Sequence, residues 1–134
     1  MAYIHVYTNP TAGGTDGTQV SEGTGLQPIS VTLNATNNEE STPIKLALRC
    51  DSGFQTNGNI TISVVGTTLA KWALAPDNAG AAGTFGAYGA DLVIATVVGA
   101  TNVLFWTKAK ATSDEAPQND TSVDVQVSAT IEAV

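Results

Sequence analysis

Residues 122–134 read S-V-D-V-Q-V-S-A-T-I-E-A-V, with Val123, Val125, Val127, Ala129, Ile131 and Ala133 on one side and Asp124, Gln126, Ser128, Thr130 and Glu132 on the other. Side chains leave a β-strand on alternate faces, so this period of two gives a strand with one face in a core and the other in water. A helix has no use for the spacing, because its apolar stripe recurs every three to four residues. The pattern runs to the last residue, so the C-terminus is expected to be tied into a sheet and residues 1–134 to form a single domain.

The same pattern recurs back along the chain. Residues 3–8 alternate Tyr3, His5 and Tyr7 with Ile4 and Val6. Ile29, Val31 and Leu33 mark a second strand, and Ile44, Leu46, Leu48 and Cys50 a third, with Pro43 before it where a missing N–H is tolerated. Asn57-Gly58 is a turn signal leading into residues 59–65, where Ile60, Ile62 and Val64 share one face. Further strands are expected over 69–74, 92–98 and 103–111, the last two joined by the turn G-A-T-N at 99–102. Residues 9–25 read as a long loop or hairpin and 112–121 as an acidic loop. Residues 76–90, P-D-N-A-G-A-A-G-T-F-G-A-Y-G-A, read as an exposed loop or a protruding hairpin tip. Seven or eight short strands between Gly, Asn and Asp turns predict an all-β chain, a single antiparallel β-sandwich, with a barrel as the second choice.

Composition narrows the chemistry. A chain of 134 residues buries roughly two-thirds of its unfolded surface, enough for a self-sufficient core. Cys50 is the only cysteine, so no disulfide can form within the chain, and it reads as a small buried hydrophobe at the end of a strand. The N-terminus shows no basic region followed by an apolar run, and no stretch is apolar enough to span a membrane. The expectation is a product made in the cytoplasm without a signal peptide. Five Lys and Arg against twelve Asp and Glu give a net charge of −7, and the cations form no dense block in the sequence, which argues against nucleic-acid binding. Only 13% of residues are charged, while Thr, Ser, Asn and Gly abound, a neutral polar surface suited to packing against other protein.

Residues 102–129, N-V-L-F-W-T-K-A-K-A-T-S-D-E-A-P-Q-N-D-T-S-V-D-V-Q-V-S-A, resemble the last two strands of bacterial and phage immunoglobulin-like domains. There an aromatic-rich strand of the type f-w-v-k-a passes through a polar loop of the type T-S-D-x-x-P into an alternating terminal strand. Residues 12–33, A-G-G-T-D-G-T-Q-V-S-E-G-T-G-L-Q-P-I-S-V-T-L, resemble the openings of small proteins encoded among the structural genes of tailed phages and prophages of Firmicutes. The resemblance implies an immunoglobulin-like sandwich and a place in a virion. It brings no catalytic residues, and the paired cysteines of antibody domains are missing here.

Among single residues, Trp106 reads as core or sheet-face packing and Trp72 as core, although Trp72, Trp106, Phe85 and Tyr88 together could also make a platform for sugar rings. Phe85 and Tyr88 stand in a Gly-rich segment with little to hold it. They are either anchors into a neighbouring subunit or packed against their own loop, and they are the first choice for an interface. Asn37-Asn38-Glu39-Glu40, Asp114-Glu115 and Asn119-Asp120 lack the alternation of a calcium loop and read as solvated turns. Gly13-Gly14-Thr15-Asp16-Gly17-Thr18 lacks the Lys of a phosphate loop. His5 has no acid or nucleophile pattern near it, and no G-x-S-x-G occurs. No metal or cofactor is expected.

The expectation is a non-enzymatic structural protein of a tailed-phage or phage-like particle, present in many copies as an accessory or decoration subunit bound to capsid or tail subunits. The alternative is a carbohydrate- or surface-binding β-sandwich module recognising a host-surface glycan. An enzyme comes third.

Overall fold

A computed structural model describes residues 4–8, 10–11, 13–20, 43–65, 71–110 and 124–134. They form nine strands: β1 (Ile4–Thr8), β2 (Thr18–Val20), β3 (Ile44–Cys50), β4 (Phe54–Val65), β5 (Trp72–Asn78), β6 (Ala81–Ala82), β7 (Leu92–Ile94), β8 (Val103–Ala109) and β9 (Asp124–Ala133). One sheet has the order β2-β1-β3-β8-β5-β6 and the other β7-β4-β9, with every pairing antiparallel. The chain is an all-β sandwich. The strand expected around Ile29, the acidic clusters at 37–40 and 114–120, and residues 69–70 lie outside the described residues.

Alternation builds the core from both sheets. Ile4 and Val6, Leu46, Leu48 and Cys50, Trp72 and Leu74, and Phe105 point inward from the larger sheet to meet Ile60, Ile62, Val64, Val125 and Val127 from the smaller. Each fully buried side chain of this size is worth roughly 1.5–3 kcal/mol, so this layer is the main favourable term in folding. In β9 the opening pattern is realised: Val125 and Val127 are buried, Gln126 and Ser128 exposed.

Three expectations change. Asn57-Gly58 is not a hairpin turn but a bulge inside one strand: Asn57 faces Thr130 and Thr61 faces Ser128, so residues 58–60 of β4 stand opposite Ala129 alone. Gly58, at φ 86°, suits a turn or a bulge equally, and the length of β9, which pairs with β4 on both sides of it, decides for the bulge. The strand expected over 92–98 stops at Ile94. Buried Val98 instead exchanges bonds with Thr56, its N–H donating to Oγ1 and its carbonyl accepting the Thr56 N–H, both at 2.9 Å. The Cys50 thiol donates to the same Val98 carbonyl, and burial, then the Asp51 charge, push its pKa up, so it is an inert core group. Finally, β8 and β9 lie in opposite sheets, whereas the last two strands of an immunoglobulin sandwich are neighbours in one, so the resemblance of residues 102–129 does not extend to their pairing.

The segment 76–90 is a hairpin laid along the sheet. β5 runs through Pro76 to Asn78, turns at Ala79 and Gly80 with φ 52° and 90°, the signs a type I′ turn requires, and returns as β6. Beyond it, the N–H groups of Gly83, Gly86 and Gly89 donate to the carbonyls of Pro76, Leu74 and Trp72 at 2.8, 3.0 and 2.7 Å. Three residues of the return match two of β5. Because two strand residues advance about 6.8 Å, the return advances only about 2.3 Å per residue, too short for a strand. A Cβ at Gly83 would stand 2.9 Å from the Pro76 oxygen, so the close approach needs glycine there. Pro76 is tolerated because the N–H it lacks points to this side and not into the ladder with β8.

Candidate functional site

The face of the larger sheet turned away from the core is set by the same alternation. It carries His5 and Tyr7 of β1, Lys45, Ala47 and Arg49 of β3, Ala73, Ala75 and Asp77 of β5, and Leu104, Trp106 and Lys108 of β8, in cross-strand rows such as His5–Arg49, Lys45–Trp106–Ala75 and Ala73–Lys108. Lys110 continues the β8 row, and Lys71, whose carbonyl accepts the Lys110 N–H at 2.9 Å, stands at the margin. All five Lys and Arg of the chain therefore gather on or beside one face, although the sequence spreads them from 45 to 110. Ala47, Ala73, Ala75 and Leu104 form a buried floor, and the cations and aromatics around them are half-buried.

The rings of Tyr7, Phe85 and Tyr88 each have a cation over them. The Arg49 guanidinium lies 3.8 Å from the Tyr7 ring centre, Lys108 Nζ 4.8 Å from that of Phe85, and Lys110 Nζ 4.3 Å from that of Tyr88. Phe85 and Tyr88 are thus folded onto the outer face beside β8 by a return segment bonded to β5, so the premise that their loop has little to hold it is corrected. Trp72 drops out of the aromatic platform: it is 2% exposed in the core, on the opposite side of the sheet from Trp106.

The rim of the face is tied by side-chain bonds that the sequence did not announce. Asn102, read as a turn residue, is 4% exposed. Its Nδ2 donates to the Thr11 carbonyl, the Asp16 carbonyl and Asp16 Oδ1 at 3.0, 3.1 and 3.0 Å, while its Oδ1 accepts from Arg49 Nη1 at 3.0 Å. Arg49 Nη1 also donates to the Asp16 carbonyl at 2.9 Å. The Asp16 carboxylate accepts from the Thr11 hydroxyl at 2.7 Å and N–H at 2.8 Å, which hold its pKa below the usual carboxylate value. An Asn in a Gly-Ala-Thr-Asn string carries no local sign that its amide will bridge to a loop some ninety residues earlier. His5 Nε2 sits 3.0 Å from Asp51 Oδ1. Among the described residues, no three His, Cys, Asp or Glu side chains converge as metal ligands would.

The arrangement gathers cations and aromatics over a close-packed floor of Ala47, Ala73, Ala75 and Leu104. No family model, no curated protein and no solved structure matches the chain.

Proposed function

We propose that this chain is a non-enzymatic structural protein, an accessory or decoration subunit of a tailed-phage or phage-like particle that works by covering and contacting other virion subunits. The observation that carries the reading is the outer face of the larger sheet, where Phe85 and Tyr88 are held half-buried beside β5 and β8, with Lys108 and Lys110 over their rings. Aromatic side chains and Arg are the residues that dominate protein contacts when buried by a partner, and Phe85, Tyr88, Tyr7 and Arg49 stand together on this sheet. The resemblance of residues 12–33 and 102–129 supplies the particle, and the low charged fraction agrees with a surface packed against other protein.

The test is to purify particles from the source and quantify the chain on them by mass spectrometry and electron microscopy. Many copies per particle are expected, with occupancy lowered by the combined Phe85→Ala and Tyr88→Ala substitutions. Particles without the chain would end this reading.

A further inference from the structure

We infer that Asn57 is a self-modification site: its side-chain amide is lost as ammonia through a cyclic imide with the Gly58 nitrogen, and the product frees the distal end of β9 from β4. The inference goes beyond the particle reading and does not depend on it, because the reaction needs only this chain and water.

The bulge supplies the chemistry. Of the nine Asn in the chain, Asn57 alone precedes a glycine. A Cβ on the next residue crowds the approach of its peptide nitrogen to the Asn Cγ, and glycine has none. Asn57, Gly58 and Asn59 are all exposed, so water and hydroxide reach them. Regular pairing would fix the Gly58 nitrogen in a ladder, but the registers of β4 with β7 and with β9 both skip Gly58, which stands in the bulge at φ 86°. The Gly58 nitrogen gives its proton to hydroxide and bonds to the Asn57 Cγ, expelling the amide nitrogen, which takes a proton from water and leaves as ammonia. Water then opens the ring. Breaking the new N–Cγ bond leaves an aspartate; breaking the bond from the nitrogen to the Asn57 main-chain carbonyl carbon leaves an isoaspartate, whose backbone runs through Cβ and Cγ. One water is consumed, one ammonia is released, and nothing is oxidised or reduced.

The same residue holds the end of β9. One oxygen of the Glu132 carboxylate accepts from Gln55 Nε2 at 2.8 Å and the other from Asn57 Nδ2 at 3.2 Å. Conversion replaces the Asn57 donor with a carboxylate, so two negative charges stand diagonally across the β4–β9 pair where a hydrogen bond stood. The bulge confines the effect. On one side of it Val125 and Val127 of β9 are buried in the inner layer, whereas on the other Ile131 is only partly buried. Strand β4 is kept in place there by the paired bonds of Thr56 with Val98. What yields is therefore β9 over residues 130–133, the less anchored of the two partners.

The experiment ages the folded protein at mildly alkaline and at mildly acid pH, beside a urea-unfolded sample, and follows every Asn by peptide mass spectrometry, with electron-transfer fragmentation to tell isoaspartate from aspartate. In the folded protein Asn57 is expected to convert ahead of the other Asn, faster at the alkaline pH, with isoaspartate among the products. Asn57→Gln, whose longer side chain would have to close a six-membered ring, is expected to abolish conversion at this position. Amide exchange at residues 130–132 is expected to quicken about tenfold both in the aged protein and in Asn57→Asp, with Val125 and Val127 unchanged. Conversion confined to the unfolded sample, or another Asn converting first in the folded one, overturns the site. Aspartate as the sole product overturns the cyclic route. Wild-type exchange at residues 130–132 in the aged, converted protein overturns the release of β9, whether or not Asn57→Asp folds.

Discussion

The indole N–H of Trp106 donates to Asp77 Oδ1 at 2.9 Å, tying strand β8 to the end of β5 across the candidate face. The other oxygen of that carboxylate accepts the Gly80 N–H of the hairpin turn at 3.3 Å. One side chain thus fixes both the turn and the ring. Hydrogen bonds to a charged group contribute about 1.5–3 kcal/mol, and half-exposure puts this one at the low end. Asp77→Ala is expected to cost about 1–2 kcal/mol, to shift the Trp106 indole N–H resonance and to speed its exchange with solvent. An unmoved resonance would mean that packing alone holds the ring.

Val125 is 3% exposed and faces Val64 in the inner layer. Val125→Asp places a carboxylate where no cation points, because the cations sit beyond the opposite sheet. The cost is expected to be several kcal/mol out of a typical total of about 5–15, enough to abolish cooperative unfolding at room temperature or to shift the denaturant midpoint sharply. A variant melting like the wild type would show that the terminal strand is not packed in this register.

What the sequence disclosed and what it withheld follow one physical line. Strand identity in β3 and β9 was legible because a two-residue period is a local property, and each buried residue of Ile60, Ile62 and Val64 could be named from it. The bulge at Gly58 was not, because a glycine with positive φ serves a turn or a bulge and only the distant partner strand chooses. The candidate face was half legible. Phe85 and Tyr88 stood out by residue type, but the neighbours that cover their rings, Lys108 and Lys110, are set by which strand lies beside the hairpin. The gathering of cations was invisible for the same reason: Lys45 and Lys108 share a face only once β3 and β8 pair.

Asn102 shows how much one buried amide can organise. Its side chain reaches Thr11, Asp16 and Arg49 at once, and its backbone N–H donates to the Gly14 carbonyl at 2.8 Å. Asn102→Ala would take one donor from each of the Thr11 and Asp16 carbonyls, which keep the Gly14 N–H and Arg49 Nη1, and free the Arg49 head from one of its two acceptors. Each lost bond contributes about 0.5–1.5 kcal/mol net, so a loss of about 2 kcal/mol in all is expected, with amide exchange quickened most through residues 13–17. Uniform quickening over the whole chain would assign Asn102 to global packing and not to this tie.

Asp16 gives the tie a pH dependence whose sign follows from its bonds. The Thr11 hydroxyl and N–H favour the ionised carboxylate, so the folded-state pKa lies below the ordinary value of 3.8. A group with a lowered folded pKa adds stability that is complete above the unfolded value and is lost as pH falls through the folded one. Asp16→Asn should therefore lower the melting temperature at neutral pH, and the gap between variant and wild type should close as pH falls below the ordinary carboxylate value. The Asn102 Nδ2 donates to the same carboxylate, so in the wild type acid should loosen residues 13–17 before it unfolds the sandwich, seen as early broadening of the Gly13 and Gly14 amide signals. A melting gap that stays constant from neutral to acid pH would show that the charge of Asp16 plays no part, and that its bonds to Thr11 hold the loop equally well when the carboxyl is protonated.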